Sequence, residues 1–174
     1  MGRLGWVAVL AVGTTFVMVL VLRQTGKSDA AGFFGAGPLL ADLNIVFEVI
    51  LVLGLTLGMF LARRGNIEAH RRNQTTWVLV NLVLVALVMV PSIRTFKFNG
   101  LADLRDPGNL ATWLHAGIGT LTVIAGTWLV LQMHELLPAA LRVQRWKTLM
   151  RATLAGYWIV ALLGLATYRG WYAT

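Results

Sequence analysis

The chain contains no cysteine, and only 13% of its 174 residues are charged. The lack of cysteine excludes disulfides, thiolate metal sites and covalently attached c-type haem. Soluble domains have about 25% charged residues. With half of that share, and with 57% hydrophobic residues, this chain cannot cover a water-facing surface. The composition therefore predicts an integral membrane protein, in line with a mean hydropathy of +0.72.

Motifs of several enzyme classes are also missing from the sequence. It has no nucleophile paired with a base, no phosphate-binding loop and no lysine inside an apolar run for a Schiff base. Its seven tryptophans and seven phenylalanines are explained by aromatic belts at the membrane interfaces before any cofactor site. The sequence therefore favours a protein that is not an enzyme.

Positive charge is in excess, with fifteen Lys and Arg residues against seven Asp and Glu residues. The cations lie at the ends of apolar runs rather than on one basic face, so we reject a role in nucleic-acid binding. They predict contacts with anionic lipid headgroups and a fixed topology. One dense group comprises Arg63, Arg64, Arg71 and Arg72.

Five apolar runs predict an all-α fold, an integral membrane helical bundle with five transmembrane helices. The predicted helices cover 4–22, 41–62, 75–93, 110–132 and 152–168. A run of nineteen residues such as the first reaches about 28 Å at about 1.5 Å per residue, close to the thickness of the hydrocarbon core. We divide the chain into an N-terminal anchor helix, 1–27, and a four-helix membrane domain, 38–174. A cleaved signal peptide is the alternative for 1–27, but the apolar run exceeds a usual h-region.

The helices 41–62 and 75–93 form the hairpin around which the chain is organised. A basic connection over 63–72 leaves them antiparallel and adjacent, and the GxxxG spacing of Gly54 and Gly58 allows a close helix approach. The segment 135–151 alternates basic with apolar residues and is predicted to lie on the membrane surface as an amphipathic segment. The helix 110–132 has the most small residues, which predicts the most central position.

Loop charge predicts the orientation. If all five helices span, the side that holds 63–74 and 133–151 carries nine Lys and Arg residues, and the other side carries six. The positive-inside rule then places the N-terminus in the cytoplasm and the C-terminus outside.

Glu48, Asn44 and Asn81 are the strongly polar residues inside the second and third predicted helices. A carboxyl group at Glu48 lies within the apolar zone and must face protein, water or a partner. One interpretation is an intramembrane polar site that contacts a proton or a quinone headgroup. The favoured alternative is a protonated, buried carboxyl group that joins helices or docks a partner subunit, because nothing else in the sequence converges on Glu48.

The three histidines are the candidate ligands for a haem or a metal. His115 and His134 are nineteen residues apart, about 28 Å along one helix, and cannot share an iron. His70 and His134 are predicted on one side and could flank a haem or bind copper, with His70 in a loop among arginines. A haem at His115 would need Met18 or Met89 as its second ligand. The favoured alternatives are interfacial histidines that meet lipid phosphate or a partner and, for His115, a hydrogen bond to a neighbouring helix.

An ordered set of short features over 38–172 gives a family resemblance. The features are Pro38, Leu43-Asn44, Arg64-Gly65-Asn66, His70-Arg71, His115, Thr153, Gly164 and Tyr168. In these the chain resembles the bacterial membrane family called domain of unknown function four-twenty, the YozB-like or CtaM-like proteins. The resemblance implies a four-helix core in the bacterial cytoplasmic membrane, near respiratory-chain biogenesis or electron transfer. It implies no reaction.

Two histidine positions of that family differ here. Ser92 or a neighbour stands where the family usually has a histidine, and Trp146-Lys147 stands in place of His-Arg-Arg. If the family histidines bind haem or a metal, this chain has lost part of the ligand set.

Together these features predict a non-catalytic accessory subunit or assembly factor of a respiratory or photosynthetic electron-transfer complex. Its partners would be other membrane subunits, anionic lipids and, in the interpretation of Glu48 as a quinone contact, a quinone; the sequence identifies no cofactor. The alternative is a small redox membrane protein that binds haem, copper or quinone at His70 and His134, at His115 or at Glu48. A transporter ranks third, because five helices with one buried acid leave little room for a substrate path.

Overall fold

The computed structural model describes residues 3–35, 37–95 and 100–172, and within them the chain is helical without any strand. The α-helices are α1 (Arg3–Gln24), α2 (Leu39–Arg63), α3 (Ile67–Leu84), α4 (Val90–Thr95), α5 (Pro107–Met133) and α6 (Trp146–Tyr172). A π-helical turn, Val85–Met89, joins α3 to α4. Short 3₁₀ turns occupy Lys27–Asp29, Leu101–Arg105 and Ala139–Leu141.

Among the described residues, four helical stretches are long and apolar enough to cross a membrane. They are Leu39–Arg63, Ile67–Ile93, Pro107–Met133 and Trp146–Tyr172, and Leu10–Gln24 of α1 is a shorter apolar helix. This confirms the predicted all-α, multi-pass membrane type of fold.

The helix ends collect at two opposite ends of the bundle. At one end, Tyr168 near the end of α6 donates a hydrogen bond to Asp42 in the first turn of α2. At the other, Thr75 of α3 is bonded to His134 just after α5, with 2.8 Å between Oγ1 and Nε2. We call the first the Trp171 end, after the residue of α6 whose Nε1 donates there to Thr112 Oγ1 of α5 at 3.0 Å. The second carries most of the cationic residues, and we call it the basic end.

Two apolar clusters hold the helices together. In the first, Leu51, Val52 and Leu55 of α2 pack against Tyr157 and Ala161 of α6. In the second, Val19 of α1 packs with Val80, Leu84 and Val88 of the α3 stretch. As a result α2 packs on both α3 and α6, α5 packs along α6, and α1 lies on α3.

The connection between α2 and α3 is much shorter than predicted. A basic connection over 63–72 is wrong, because α3 already begins at Ile67. Gly65, with φ of 77°, donates to Ala62 O, and Asn66 N donates to Leu61 O, which is the Schellman arrangement that ends a helix. Asn66 then caps α3, its Oδ1 accepting from Ala69 N at 3.2 Å. The turn thus needs only three residues.

Because α3 starts early, its first turns supply a polar seam against α2. His70 donates from Nδ1 to Gly58 O at 2.7 Å, and Asn73 donates from Nδ2 to Gly54 O at 2.8 Å. The GxxxG glycines make room for this seam: a Cβ at Gly54 would overlap the Trp77 ring. The placement of His70 in a loop was therefore wrong; it is a buried helical residue with 4% exposure.

The connection between α5 and α6 also differs from the prediction. An amphipathic segment over 135–151 is wrong for its second half, since α6 begins at Trp146 and runs for 27 residues. Gln132 fixes the connection: its Nε2 donates to Val143 O at 3.0 Å and its Oε1 accepts from Val143 N at 2.8 Å. The basic residues in the first turns of α6 are exposed, so the helix can start among them, because long cationic side chains reach water from a helix end.

The prediction that the helix over 110–132 is the most central is wrong. Only 11% of the most apolar window of α5 is buried, against 39% of that of α2. Small residues allow a close approach, but they supply little apolar surface for a core. By burial the centre belongs to α2, because its apolar window is the most buried of the four membrane-spanning candidates.

Pro91 explains the π turn. A proline has no N–H to donate and its ring collides with the carbonyl four residues earlier. The helix widens just before Pro91, so that Val90 N donates to Val85 O, five residues back. Such turns are common at functional sites, and residues of this one line the cavity described next.

Candidate functional site

A cavity of about 830 Å³ lies between α2, the π turn with α4, α5 and α6. Its volume falls within the range of about 300–1,000 Å³ that is usual for ligand pockets. Most of its lining is apolar. A small polar set projects from different helices: Asn44, Glu48, Asn81, Thr112 and His115. We call it the first cavity.

The centre of the polar set is a pair formed by Glu48 of α2 and His115 of α5. His115 Nε2 and Glu48 Oε1 are 3.6 Å apart, and the Glu48 side chain is largely buried. On its other side the ring meets the backbone of α6, with 3.0 Å between Nδ1 and Val160 O. A carbonyl only accepts, so Nδ1 carries a hydrogen and Nε2 faces the carboxyl group. A single further proton, on Nε2 or on the carboxyl group, makes the pair neutral overall.

Gly164 of α6 makes room for this pair. A Cβ at that position would overlap the Glu48 carboxyl group and would lie 3.2 Å from Cε1 of His115. Any larger residue would push the two side chains out of their present positions. Glycine, which has no side chain, is therefore the residue that fits at this position of α6 without moving the pair.

Several buried oxygens near the pair have no hydrogen-bond partner among the described residues. They are Oδ1 of Asn44, Oε1 of Glu48 and Oγ1 of Thr167, and all three residues line the first cavity. Most buried polar groups in folded proteins are hydrogen-bonded, and an orphan calls for a ligand, an ion or water. The cavity thus offers unsatisfied polar atoms at one place inside an apolar wall.

The lining of the first cavity includes residues that are exposed on two sides of the protein. Towards the Trp171 end these are Arg23 and Asp29. On the side of α4 and α5 they are Val90, Thr120 and Ile124. In a membrane, the second group would lie on the lipid-facing side of the helices.

The predicted polar residues of α2 and α3 line this one cavity, but they do not bond to one another. Asn81 instead donates to the Tyr157 hydroxyl, with 3.4 Å between Nδ2 and Oη. The sequence did not reveal the pairing of Glu48 with His115. Their nearly equal distance from the helix starts could have indicated it. Glu48 is nine residues into α2 and His115 is eight residues into α5, so both lie about 12–14 Å from the same end of the bundle.

His70 and His134 lie away from this site, towards the basic end. His70 is bonded to the α2 backbone, and His134 to Thr75. His70 lines a second cavity, whose lining does not include His134. Met89, but not Met18, lines the first cavity together with His115. In the described part of the chain, no cluster of three or more His, Asp or Glu side chains could hold a metal ion.

The four arginines predicted for lipid contact sit at the basic end. Arg63, Arg64 and Arg71 are exposed. Arg72 is half-buried and forms an ion pair with Glu68 one turn earlier. Three cationic side chains are thus exposed together at the basic end; their contact with anionic lipid stays a prediction.

Compared with known proteins, the chain matches no family model, no curated protein and no solved structure. The resemblance to the YozB-like family therefore stays a prediction. The chemistry of the site has to be inferred from its own geometry.

Proposed function

We propose that this protein binds a quinone in the first cavity and works beside an electron-transfer complex of the bacterial cytoplasmic membrane. The observation that carries the proposal is the Glu48–His115 pair, in a largely apolar cavity that also holds unsatisfied buried oxygens and is lined in part by exposed residues of α4 and α5. A lipid-soluble molecule could enter there without crossing water.

The chemistry of the polar set fits a quinone headgroup. The two carbonyl oxygens of a quinone accept hydrogen bonds, which a protonated Glu48 and the Thr167 hydroxyl can donate. The hydroxyls of a quinol donate, and Oδ1 of Asn44 and a Glu48 carboxylate can accept. The pair can also take up or release the proton that accompanies the change between the two forms. A phospholipid phosphate fits worse, because its charge would repel a carboxylate.

A binding experiment tests the proposal. Purified protein in lipid nanodiscs is titrated with a short-chain benzoquinone and a naphthoquinone, and binding is followed by quenching of tryptophan fluorescence. Glu48→Ala should weaken quinone binding about 2- to 13-fold, since a hydrogen bond between neutral groups contributes about 0.5–1.5 kcal/mol.

The matched control is Glu68→Ala, which removes an exposed carboxylate outside the cavity and should leave binding unchanged. Equal affinities for the wild type and for folded Glu48→Ala would refute quinone binding at this site. A Soret band in the visible spectrum would instead favour the haem alternative.

A role as accessory subunit or assembly factor is supported by the open face of α5. Leu121 is 69% exposed and Ile124 56%, and a Cβ at Gly117 would meet nothing within 4 Å. This face can accept a helix of a partner subunit at close range. We expect the protein to migrate with an oxidoreductase complex in mild detergent, and Gly117→Trp to release it. Migration of the wild type as a free monomer would count against this role.

We further propose five spans, with the basic end in the cytoplasm, supported by the distribution of Lys and Arg residues. The cysteine-free chain allows a direct test. A single cysteine at Gln144, at the basic end, should react with an impermeant maleimide only after cell lysis, and one at Leu101 should react in intact cells. The reverse pattern would invert the topology.

A further inference from the structure

A second cavity of about 310 Å³ enters the bundle from the opposite direction. At its basic end it is lined by Ile67, Arg71 and Trp146, which are all exposed. Further in, its lining includes His70 and Gln74. We call it the second cavity. Together with the first cavity, it means that a pocket extends inwards from each end of the protein.

The two cavities meet at Tyr157, which lines both of them. This residue is only 6% exposed. Asn81, which lines the first cavity, donates to its hydroxyl at 3.4 Å. Gly126 of the second cavity lies against the same hydroxyl, since a Cβ there would be 2.8 Å from Oη. The hydroxyl group therefore stands at the boundary between the two cavities.

The position of Tyr157 is close to the middle of the membrane span. It is eleven residues from the start of α6 and fifteen from its end, about 16 Å and 22 Å. Around it, Leu51, Leu55 and Ala161 belong to the same apolar cluster. Apolar constrictions of this kind block water and ions in membrane pathways. Between the two cavities the barrier is thus about one side chain thick.

We propose that Tyr157 with Asn81 is the gate of a proton pathway through the protein, with the Glu48–His115 pair as the proton-binding station on the Trp171 side of the gate. Intramembrane acids commonly serve proton relays. The other charged or titratable side chains of the first cavity are at its mouth or at the gate: Arg23, Asp29, Tyr168, Tyr172 and Tyr157. The pathway does not depend on quinone binding, because it uses the pair only to hold a proton.

The proton balance at the gate is simple. Asn81 donates to Oη, so the hydroxyl hydrogen of Tyr157 points elsewhere and can be given to water in the first cavity. When Oη gives up that hydrogen it takes another from a hydronium ion that enters the second cavity from the basic end; the hydronium becomes water and the tyrosine is restored. Glu48 or His115 receives the proton that was released. No bond other than O–H and N–H bonds changes.

A flux assay tests the gate. Purified protein is reconstituted into vesicles of phosphatidylethanolamine and phosphatidylglycerol, and proton entry is driven by a potassium diffusion potential and read by a pH-sensitive dye. The wild type should be nearly tight. Tyr157→Ala joins the cavities and should raise the flux about tenfold or more, whereas Tyr157→Phe keeps the apolar barrier and should stay at or below the wild-type flux.

Two further variants make the result specific. Tyr172→Ala removes the same side chain at the cavity mouth and should leave the flux unchanged. Adding Glu48→Gln to Tyr157→Ala should return the flux to near the wild-type value, because an apolar cavity without its acid offers a proton no stable station. A folded Tyr157→Ala variant that is as tight as the wild type would overturn the proposal, and so would a double variant as leaky as the single one.

The wild type provides a test that needs no gate variant. Dicyclohexylcarbodiimide reacts with protonated carboxyl groups in apolar surroundings, and labelled Glu48 is quantified by mass spectrometry. In vesicles of known protein orientation, a change from about pH 6 to about pH 8 on the Trp171 side should slow the labelling several-fold. The same change on the basic side should have little effect. Labelling that follows the pH of the basic side would show that Tyr157 is no barrier, whatever the outcome of the quinone titrations.

Discussion

Replacement of Gly164 by alanine is the sharpest perturbation of the proposed site. The added methyl group would overlap the Glu48 carboxyl group and press on the His115 ring. The Glu48 carboxyl group would have to turn away from its present position, whereas the His115 ring is held by its bond to Val160 O. Overpacking of this kind costs about 1–3 kcal/mol. If this free energy is lost from the quinone-bound state, in which the pair must keep its present geometry, quinone binding should weaken about 5- to 150-fold.

The assay is the fluorescence titration of the nanodisc-embedded protein, with the thermal unfolding midpoint measured on the same samples. Two alanine variants serve as controls. Gly117→Ala meets open space and should leave both binding and unfolding nearly unchanged. Gly156→Ala would bring its Cβ within 2.6 Å of Thr122 Oγ1, so it should lower the unfolding midpoint while affecting binding less than Gly164→Ala.

These controls separate steric damage to the fold from damage to the site. If Gly164→Ala binds both quinones as the wild type does, the pair does not touch the headgroup and the reasoning is refuted. If Gly156→Ala weakens binding as much as Gly164→Ala, the loss reflects general packing rather than the site.

Two further predictions concern the scaffold. Gly54→Leu should destabilise the protein by about 1–3 kcal/mol, since its side chain would displace Trp77 from the α2–α3 contact. Thermal unfolding in detergent measures this loss of stability. An unchanged unfolding midpoint would contradict the packing described. Tyr168→Phe removes a donor to the fully buried Asp42, whose carboxylate also accepts from Phe34 N at 2.7 Å. Limited proteolysis should then cut faster within 28–38, and an unchanged cutting rate would show that the tyrosine does not hold this connection.

Much of the scaffold could be predicted from apolar runs, because hydrocarbon leaves a chain few options: a helix satisfies every backbone hydrogen bond within itself. The predicted helix boundaries are wrong where a cluster of charged residues lies inside the first turns of a helix. The first turns of α3 and of α6 are both basic, yet they are helical, since arginine and lysine are good helix formers and can reach water from a helix end. The Gly65-Asn66 pair was the better boundary signal.

The candidate site was predictable only in part. Glu48, Asn44 and Asn81 stood out because polar residues are costly in an apolar helix. The predicted hydrogen bond from His115 to a neighbouring helix is confirmed, since it is bonded to Val160 O of α6. The sequence does not indicate the pairing of His115 with Glu48, and it gives no signal for Tyr157 or Thr167. Tyrosine and threonine carry little polar signal in a sequence, because each also packs well in an apolar core. Their role depends on which helix lies opposite.

The sequence by itself determined that this chain belongs in a membrane, that it is helical, and which end carries the positive charge. These properties follow from local composition and length, since the length and the hydrophobicity of each helix decide by themselves whether it can span a bilayer. Only the tertiary structure decided that Glu48 faces His115 across Gly164, and that two cavities end at one tyrosine hydroxyl. Such contacts depend on the rotation and depth of helices that are distant in the chain, and those are set by packing between side chains rather than by any single segment.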